Sequence, residues 1–406
     1  MDFHKKKFDS DYTGILDGIR VIDLSRLVAG NTLTKMLADF GAEVIKIEPI
    51  PDGDPYRNWH ASAISLHWKE YCRNKKSVSL NLRTDEGKRI LHRLLADADC
   101  FVENYRPGRL EQMGFEPDKL IAANDKLIVA RLSGYGQTGP YREYGGFGTL
   151  VEAMSGFASR NGFADREPVL PPLAMADMIA GITGAMATAM ALYHRDLKNG
   201  GGQIIDLSLL EPLYMILGPE AARYKMAGTV RKRSGSSSQT SCPRGVYQTK
   251  DGKWVSMSAS IQSMAHRLFR AIGRADMVDD PRYRTNADRI QRREEVDGIV
   301  GDFIKQKTLE ENLAFFRREE ITVGPVFDIS QIVEDEHYRE REIIVDLPDE
   351  DLGWMPMHNI VPRLSKTPGG FKSPAPKLGE HNAEILGGLG YDAAGLERLR
   401  AENVIV

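Results

Sequence analysis

Cysteine is scarce in this sequence, which has only Cys72, Cys100 and Cys242 among its 406 residues. The three lie far apart, none belongs to a Cys-x-x-Cys pair, and an odd number cannot all pair with one another. The sequence therefore supports neither a disulfide framework nor a zinc ribbon. A reducing compartment is the simplest environment for such a chain, and we expect a cytoplasmic protein.

Long uncharged runs and an excess of one charge are also missing. The longest uncharged run, Met178–Tyr193, is shorter than the roughly 20 residues that a spanning helix needs, and the charged start, 1–11, lacks a signal-peptide core. The formal net charge is −3, the pI is near 6.3 and both signs are interspersed. We therefore expect no membrane and no nucleic acid as partners, and a small-molecule substrate fits better.

Motifs of several common enzyme classes are absent. The turn after the first predicted strand, 25–30, contains neither the GxGxxG of dinucleotide-binding proteins nor the GxxxxGK[ST] of a phosphate loop. The histidines form no HExxH or comparable arrangement, and no GxSxG element is present. A nicotinamide enzyme, an NTPase, a metal site and a serine hydrolase are thereby disfavoured.

The N-terminal region repeats a strand–helix pattern. From Gly18 the chain reads GIRVIDL, a small-residue turn, an amphipathic segment that ends at Gly41, and the strand-like AEVIKIEP. The alternation continues with VSLNL at 78–82, a helical segment from Thr84, then CFVENY and LIVARLSGYG. We therefore expect an α/β fold with a Rossmann-like, doubly wound, mostly parallel sheet. Ligands bind such sheets beyond the carboxyl ends of the strands, which here are SRLVAG, ENYRPG and SGYGQTGP.

One acidic residue stands apart from all other charges. Asp177 is the only charged residue between Glu167 and His194, in a segment of alanine, methionine, glycine and isoleucine. It is either the N-terminal cap of a helix or a functional carboxylate, and the two roles are compatible. The positive end of a helix favours the ionised form of a carboxylate, and in a water-poor site an ionised carboxylate is a usable nucleophile.

Basic residues lie near the predicted ligand edge of the sheet. The segment CRNKKS, which contains Lys75, precedes a strand, and ENYRPG, which contains Arg106, follows one. Individually such residues are most often solvated surface charges. Their placement here suits the phosphates of a nucleotide-like ligand.

Several segments, in this order and at these intervals, resemble the family III CoA-transferases, also called the CaiB/BaiF family. The family includes formyl-CoA and carnitine-related transferases. The resemblance covers nearly the whole chain and is carried by LDGIRVIDLSRLVAG with GAEVIKIEP, RNKKSVSLNLRTDEGKRIL, VENYRPGRLEQMGF, SGYGQTGPY and MADMIAG.

The resemblance implies a catalytic nucleophile and a set of contacts to coenzyme A. The nucleophile is Asp177. Coenzyme A or acyl-CoA is then a substrate, and neither a metal nor a tightly bound cofactor is implied. The implied contacts to coenzyme A are Val28, Ala29, Asn74, Lys75, Asn104 and Arg106.

The resemblance also implies an architecture, an interlocked homodimer whose subunits each have a large and a small domain. A basic, Gly/Ser-rich segment at 230–245 marks a domain junction or a mobile loop. We expect a large Rossmann-like domain at 1–225, a small α+β domain at 226–330, and a return segment at 331–406 that completes the large domain.

The chain departs from the family pattern at three places. Val28 stands where some members have glutamine, and GGFG at 145–148 replaces the common PGYD, which leaves the side chains of the acyl pocket open. The segment GSSSQ, 235–239, stands where the formyl-CoA enzymes have a glycine-rich lid.

The function that the resemblance implies is transfer of coenzyme A between carboxylic acids. The donor would be an acyl-CoA of a small dicarboxylate such as succinate, and an aspartyl-CoA thioester would form on Asp177. One alternative is an α-methylacyl-CoA racemase, whose histidine falls in a GHD sequence where this chain has Gly146, Phe147 and Gly148. The other alternative is a non-catalytic acyl-CoA-binding protein.

Overall fold

The computed structural model describes residues 3–60 and 64–406 of the chain. The chain forms two compact units. Unit 1 comprises Met1–Phe157, Leu170–Ala222 and His337–Val406, and unit 2 comprises Ala158–Val169 and Arg223–Glu336.

The strands and helices alternate along most of the described chain. The strands are β1 (His4–Lys5), β2 (Arg20–Asp23), β3 (Glu43–Glu48), β4 (Lys75–Ser79), β5 (Cys100–Glu103), β6 (Ile128–Ser133), β7 (Ile204–Ser208), β8 (Arg244–Gln248), β9 (Trp254–Ser258), β10 (Val323–Pro325), β11 (Ile344–Asp349) and β12 (Gly353–His358). The α-helices are α1 (Ala29–Asp39), α2 (Leu66–Tyr71), α3 (Asp85–Ala96), α4 (Arg109–Gln112), α5 (Pro117–Ala123), α6 (Gly148–Met154), α7 (Phe157–Arg160), α8 (Met175–Leu197), α9 (Leu210–Ile216), α10 (Glu220–Ala227), α11 (Gln262–Ala271), α12 (Asp276–Asp279), α13 (Asn286–Gln291), α14 (Arg293–Ile304), α15 (Leu309–Arg318), α16 (Ile329–Ile332), α17 (Glu336–Glu340), α18 (Asn382–Gly388) and α19 (Ala393–Ala401). A 3-10 helix covers Pro55–Asn58.

Unit 1 is built on a six-stranded sheet in the order β4-β3-β2-β5-β6-β7, in which every pair of neighbours is parallel. Successive side chains point to opposite faces, so Val21 and Val44 join the core beneath α1 and α8, while Ile22 and Ile45 join the core beneath α3 and α5. The predicted parallel sheet is thus confirmed. From β2 the sheet extends to one side through β3 and β4 and to the other through β5, β6 and β7. The strand order therefore reverses between β2 and β5, and ligands bind such sheets beyond the carboxyl ends of the strands at this point.

The C-terminal part of the chain packs onto the large unit. The Asn382 amide donates to Ser79 Oγ at 2.8 Å and accepts from the Ser79 N–H at 3.0 Å. The Asn81 N–H donates to the Val404 carbonyl at 2.8 Å. The chain from His337 onward therefore belongs to the fold that holds the six-stranded sheet.

Unit 2 contains an antiparallel three-stranded sheet in the order β8-β9-β10. Helices α11, α14 and α15 share a hydrophobic core with this sheet. Its bounds differ from the expected 226–330 because the early segment Ala158–Val169 also belongs to it. The Gly235 N–H donates to the Gly162 carbonyl at 2.9 Å, and Arg233 Nε donates to the Phe163 carbonyl at 3.0 Å. These hydrogen bonds between distant parts of the chain hold the early segment in unit 2.

The helix that carries Asp177 is long and apolar. Among the described residues, α8 is the one helix that could cross a membrane by length and composition, and 44% of its most apolar window is buried inside the protein. Its buried side approaches α1 closely, since a Cβ added to Gly181 would lie 2.6 Å from Thr32 Cβ, and one added to Gly184 would lie 2.5 Å from Leu33 Cδ1. The glycines of α8 therefore serve close helix packing.

A network of buried charges lies beneath the turn between β2 and α1. Asp23, Lys46 and Asp54 are fully buried, and Lys75 is 1% exposed. Lys46 Nζ lies 3.4 Å from Asp23 Oδ1 and 3.1 Å from Asp54 Oδ2, while Lys75 Nζ lies 3.3 Å from Asp23 Oδ2. Burial opposes the ionisation of Asp23, but Lys46 and Lys75 hold its pKa below the ordinary value. The two ammonium groups thus keep the carboxylate charged inside the core.

The same network fixes the backbone of the turn. Lys46 Nζ donates to the Ser25 carbonyl at 2.5 Å, and the Leu27 N–H donates to Asp54 Oδ1 at 3.0 Å. Leu27 has a φ of 62°, in the left-handed region that residues with a Cβ rarely adopt. The buried carboxylate of Asp54 therefore stabilises a turn shape that the local sequence does not favour.

Replacing Lys75 with alanine should destabilise the protein strongly, because it leaves the carboxylate of Asp23 with one buried ammonium partner instead of two. Breaking a buried pair in this way costs about 3–5 kcal/mol. The neighbouring Lys76 forms partly exposed pairs with Glu43 and Glu384, so Lys76→Ala should cost below about 1 kcal/mol. Chemical unfolding, monitored by circular dichroism, compares the two variants. Equal shifts of their midpoints would contradict the structural role given to Lys75.

Candidate functional site

Asp177 lies in the first turn of α8, which begins at Met175 with Ala174 as its cap residue. The cap position belongs to Ala174, which makes no side-chain cap hydrogen bond, so the structure does not support the interpretation of Asp177 as the N-terminal cap. The carboxylate instead stands two residues inside the helix, at its positive end. That position leaves it available for chemistry.

Helix α6 supplies the surface against which Asp177 rests. A Cβ added to Gly148 would lie 2.2 Å from Asp177 Oδ2, so any side chain at this position would displace the carboxylate. One helical turn later, Glu152 is 3% exposed, and its Oε1 accepts a hydrogen bond from the Ala176 N–H at 3.1 Å. The start of α8 is thereby joined to α6 beside the Asp177 carboxyl group.

The electrostatic environment makes Asp177 more basic than an ordinary aspartate. Burial first, and the negative charge of Glu152 second, raise the pKa of Asp177 from 3.8 to about 6. Among the residues that the structure describes, no lysine, arginine or histidine forms an ion pair with either carboxylate. At neutral pH Asp177 is mostly ionised, and its higher basicity favours attack on an electrophilic carbonyl.

Two cavities meet at Asp177. The first, of about 330 Å³, lies at the carboxyl ends of the strands and is lined by three cationic side chains, Arg26, Arg106 and Arg142. Guanidinium groups suit phosphate oxygens because they donate in a planar fork. The first cavity therefore fits a phosphorylated ligand whose far end reaches Asp177.

The second cavity has a different character. It is also about 330 Å³, and the aromatic and aliphatic side chains of Trp59, Leu170 and Leu173 line it together with the carboxylates of Glu152 and Asp177. No cationic side chain of the described residues lines it. Asp177 thus stands between a cationic cavity and a largely apolar one.

Four of the residues predicted to contact coenzyme A lie at these cavities. Ala29, Asn104 and Arg106 line the first cavity with Asp177, and Val28 lines the second. Asn104 also joins two loops, because its Oδ1 accepts from the Arg26 N–H at 2.9 Å and its Nδ2 donates to the Arg26 carbonyl at 2.7 Å. The structure therefore brings these four residues together around the predicted nucleophile.

The other two predicted contacts, Asn74 and Lys75, line neither cavity. Asn74 has a φ of 64°, donates to Asp39 Oδ1 at 2.8 Å and accepts from the Lys372 N–H at 2.7 Å. Lys75 Nζ donates to Thr34 Oγ1 at 2.8 Å and to Asn31 Oδ1 at 2.9 Å. The structure thus gives both residues buried partners within unit 1, and their contact with coenzyme A stays a prediction.

Sequence reasoning missed several residues that the structure places at the site. Arg26 belongs to the SRLVAG turn, where it could have been selected as a cation at the ligand edge. Glu152 is the only charged residue between Glu143 and Arg160. Isolation among small and apolar residues is the same signal that singled out Asp177.

The described residues contain no group of three or more histidine, cysteine, aspartate or glutamate side chains that could hold a metal ion. Cys72, Cys100 and Cys242 are free thiols and are buried. Burial raises the pKa of the Cys72 thiol to about 12 and also raises that of Cys100. The described cysteines are therefore poor nucleophiles compared with Asp177.

Comparison with known proteins shows the family of the chain. The sequence profile of CoA-transferase family III matches residues 16–382. The chain is 36% identical over 394 residues to the succinyl-CoA–D-citramalate CoA-transferase of Chloroflexus aurantiacus, covering 96% of this chain and 98% of that protein. It is 33% identical to the succinate–glutarate CoA-transferase of Agrobacterium fabrum, covering 91% and 94%.

The fold has a matching crystal structure, that of a CaiB/BaiF family protein from Brucella suis. The TM-score is 0.81 at 28% sequence identity, and the match covers 93% of this chain and 100% of the other. The chain therefore belongs to CoA-transferase family III. It is an enzyme of the CoA-transferase class, for which CoA thioesters are substrates.

Replacing Gly148 with alanine should reduce turnover by at least about tenfold while leaving the protein folded. The new methyl group would displace the Asp177 carboxylate, and a small misplacement of a reacting group costs rate more than binding. A Cβ on Gly298 meets no atom within 4 Å, so Gly298→Ala is the matched control. Steady-state kinetics and thermal melting of both variants test this. Unchanged turnover in Gly148→Ala would show that the Asp177 carboxylate is not held against α6.

Proposed function

We propose that this enzyme moves coenzyme A from the acyl-CoA of a small dicarboxylate, such as succinyl-CoA, to a carboxylic acid acceptor through an aspartyl-CoA thioester on Asp177. The observation that carries the proposal is the position of Asp177, a carboxylate of raised pKa, with no ion-pair partner among the described residues, where a cationic cavity meets a largely apolar one. The names of both relatives given above include succinyl-CoA or succinate, which supports the donor class.

The transfer proceeds in two halves, one with the donor and one with the acceptor, and each half consists of two nucleophilic attacks. The Asp177 carboxylate attacks the donor thioester, which forms a mixed anhydride and releases the CoA thiolate. The thiolate then attacks the aspartyl carbonyl, so that an aspartyl-CoA thioester forms and the donor acid leaves with one oxygen from Asp177. The acceptor carboxylate attacks this thioester, and the thiolate released attacks the acceptor carbonyl of the new anhydride. The products are the acceptor CoA ester and free Asp177.

Each cavity binds a different part of the acyl-CoA substrate. The arginines of the first cavity, Arg26, Arg106 and Arg142, suit the phosphates of coenzyme A, and its thiol end then reaches Asp177. The second cavity receives the acyl group, and side chains such as Trp59 and Leu173 reduce the water around the anhydride and the thioester. Limiting water matters because either intermediate would otherwise be hydrolysed.

An exposed face of α8 supports a dimer. Ile182, Met186, Met190, Tyr193 and Leu197 lie along one side of the helix, and each is more than half exposed. A contiguous apolar stripe of this kind is typical of a covered interface. We propose that it is covered in the interlocked homodimer that the family resemblance implies. The cytoplasmic location stays a prediction from the sequence.

Replacing Asp177 with asparagine should abolish transfer, by at least about a thousandfold, while leaving the fold intact. The amide has nearly the same shape but cannot act as a carboxylate nucleophile. Purified wild type and Asp177→Asn are mixed with a panel of acyl-CoA donors and free acids, and mass spectrometry detects new CoA esters. An ester made only by the wild type identifies the substrates. Near-normal turnover by Asp177→Asn would remove this residue from the mechanism.

Replacing Arg106 with alanine should raise KM for CoA esters by about tenfold and leave the preferred acid unchanged, because the side chain lines the cationic cavity. Arg109 is three residues away, pairs with Gln112 at 3.2 Å and is absent from the lining of both cavities. Arg109→Ala is therefore the control. Steady-state kinetics with several acids separates KM from acid preference. A change of preferred acid in Arg106→Ala would contradict the placement of the phosphates in this cavity.

A further inference from the structure

We propose that Glu152 is a positioning residue for the transfer, whose buried negative charge destabilises the free carboxylate of Asp177 relative to its acylated forms. The proposal rests on the function given to Asp177 above. It gives a second carboxylate a role in the reaction. Glu152 lies beside Asp177 and forms no bond with the substrate.

The position of Glu152 follows from the geometry of α6. Gly148 and Glu152 are four residues apart and lie on the same face of this helix, one turn from each other. Gly148 faces the Asp177 carboxylate, and Glu152 accepts the Ala176 N–H at 3.1 Å. Both carboxylates line the second cavity. The side chain of Glu152 therefore lies beside the nucleophile and is connected to the backbone immediately before it.

The hydrogen bond alone does not explain a glutamate at this place. A glutamine would accept the same N–H through its side-chain oxygen without placing a charge in the core. Glu152 is 3% exposed, and no cationic side chain of the described residues pairs with it. Burying an unpaired charge is costly, and placing it beside a second carboxylate adds repulsion.

The repulsion acts on some states of the reaction and not on others. It is present when Asp177 is a free anion, and it disappears when the same group becomes neutral in the mixed anhydride or in the thioester. Glu152 therefore raises the free energy of the resting carboxylate, which lowers the barrier to its acylation. Interactions that differ between resting state and transition state change kcat, whereas uniform ones do not.

The charges around Asp177 come from four elements. Glu152 faces it from α6, Arg26 from the turn after β2, Arg106 from the loop after β5, and Arg142 from the segment before α6. The arginines line the first cavity, whereas burial and the charge of Glu152 raise the pKa of Asp177 to about 6. Removal of the negative charge on Glu152 should therefore lower the pKa of Asp177.

The test compares Glu152→Gln, which keeps the hydrogen-bond acceptor and removes the charge, with Glu152→Ala, which removes both. Glu310→Gln, an exposed position in the first turn of α15, is the control. Kinetics are measured from pH 5 to 9 with acyl-CoA and an acceptor acid, and thermal melting is recorded for each variant. In the wild type, kcat/KM should fall as the pH drops through about 6, because Asp177 becomes protonated.

The expected result is specific to a charge effect. Glu152→Gln should have the melting temperature of the wild type. The fall of its kcat/KM on the acidic side of the pH profile, the acid limb, should move to lower pH. At pH 8, where Asp177 is ionised in both proteins, its kcat should fall by about tenfold with little change in KM. Glu152→Ala should show the same limb with an additional loss of stability. Control kinetics should match the wild type.

Two outcomes would overturn the inference. A Glu152→Gln enzyme with wild-type kcat and an unmoved acid limb would show that the charge has no role. A lower melting temperature in both variants, with kcat reduced only in proportion to the fraction of folded protein, would show that Glu152 is purely structural. Failure of the proposed function is distinguishable, because it requires turnover by Asp177→Asn whatever the behaviour of the Glu152 variants.

Discussion

The buried charges beneath the first βα turn are the constraint on which the site depends. Lys46 and Lys75 neutralise Asp23, and Lys46 also neutralises Asp54, which holds the left-handed backbone at Leu27. Buried ion pairs contribute little net stability, but loss of one partner is costly because it leaves an uncompensated charge. The network therefore acts mainly by fixing one shape of the turn. That turn forms a wall of both cavities.

The site places two opposite electrostatic environments side by side. Arginines line the cavity beyond the strand ends, whereas Asp177 and Glu152 meet in a largely apolar region without a cation of their own. A cation paired with Asp177 would lower its pKa and its nucleophilicity. In the proposed reaction, the absence of an ion pair between these arginines and Asp177 would let one enzyme bind a polyanionic substrate and keep a basic nucleophile. Close packing of Gly148 against Asp177 fixes the position of that nucleophile.

The sequence predicted the parallel sheet, because β-branched runs alternate with amphipathic segments, and it predicted Asp177, because one acid among apolar residues is conspicuous. It did not show that Lys75 is buried, because a lysine in a charged segment usually lies at the surface, and only distant partners such as Asp23 reveal the burial. The assignment of Ala158–Val169 to unit 2 likewise depends on hydrogen bonds to residues far along the chain. Contacts of this kind leave no local pattern in a sequence.

The central claim is that the carboxyl group of Asp177 exchanges an oxygen with the substrates in each turnover, and isotope transfer tests it most directly. The enzyme is incubated with unlabelled acyl-CoA donor and an acceptor acid whose carboxylate carries heavy oxygen, and the peptide that contains Asp177 is analysed by mass spectrometry. We predict one heavy oxygen in the Asp177 carboxyl group after a single turnover, a second as turnovers accumulate, and heavy oxygen in the donor acid released after the first turnover. Rapid formation of the acceptor CoA ester with no label in Asp177 would contradict it.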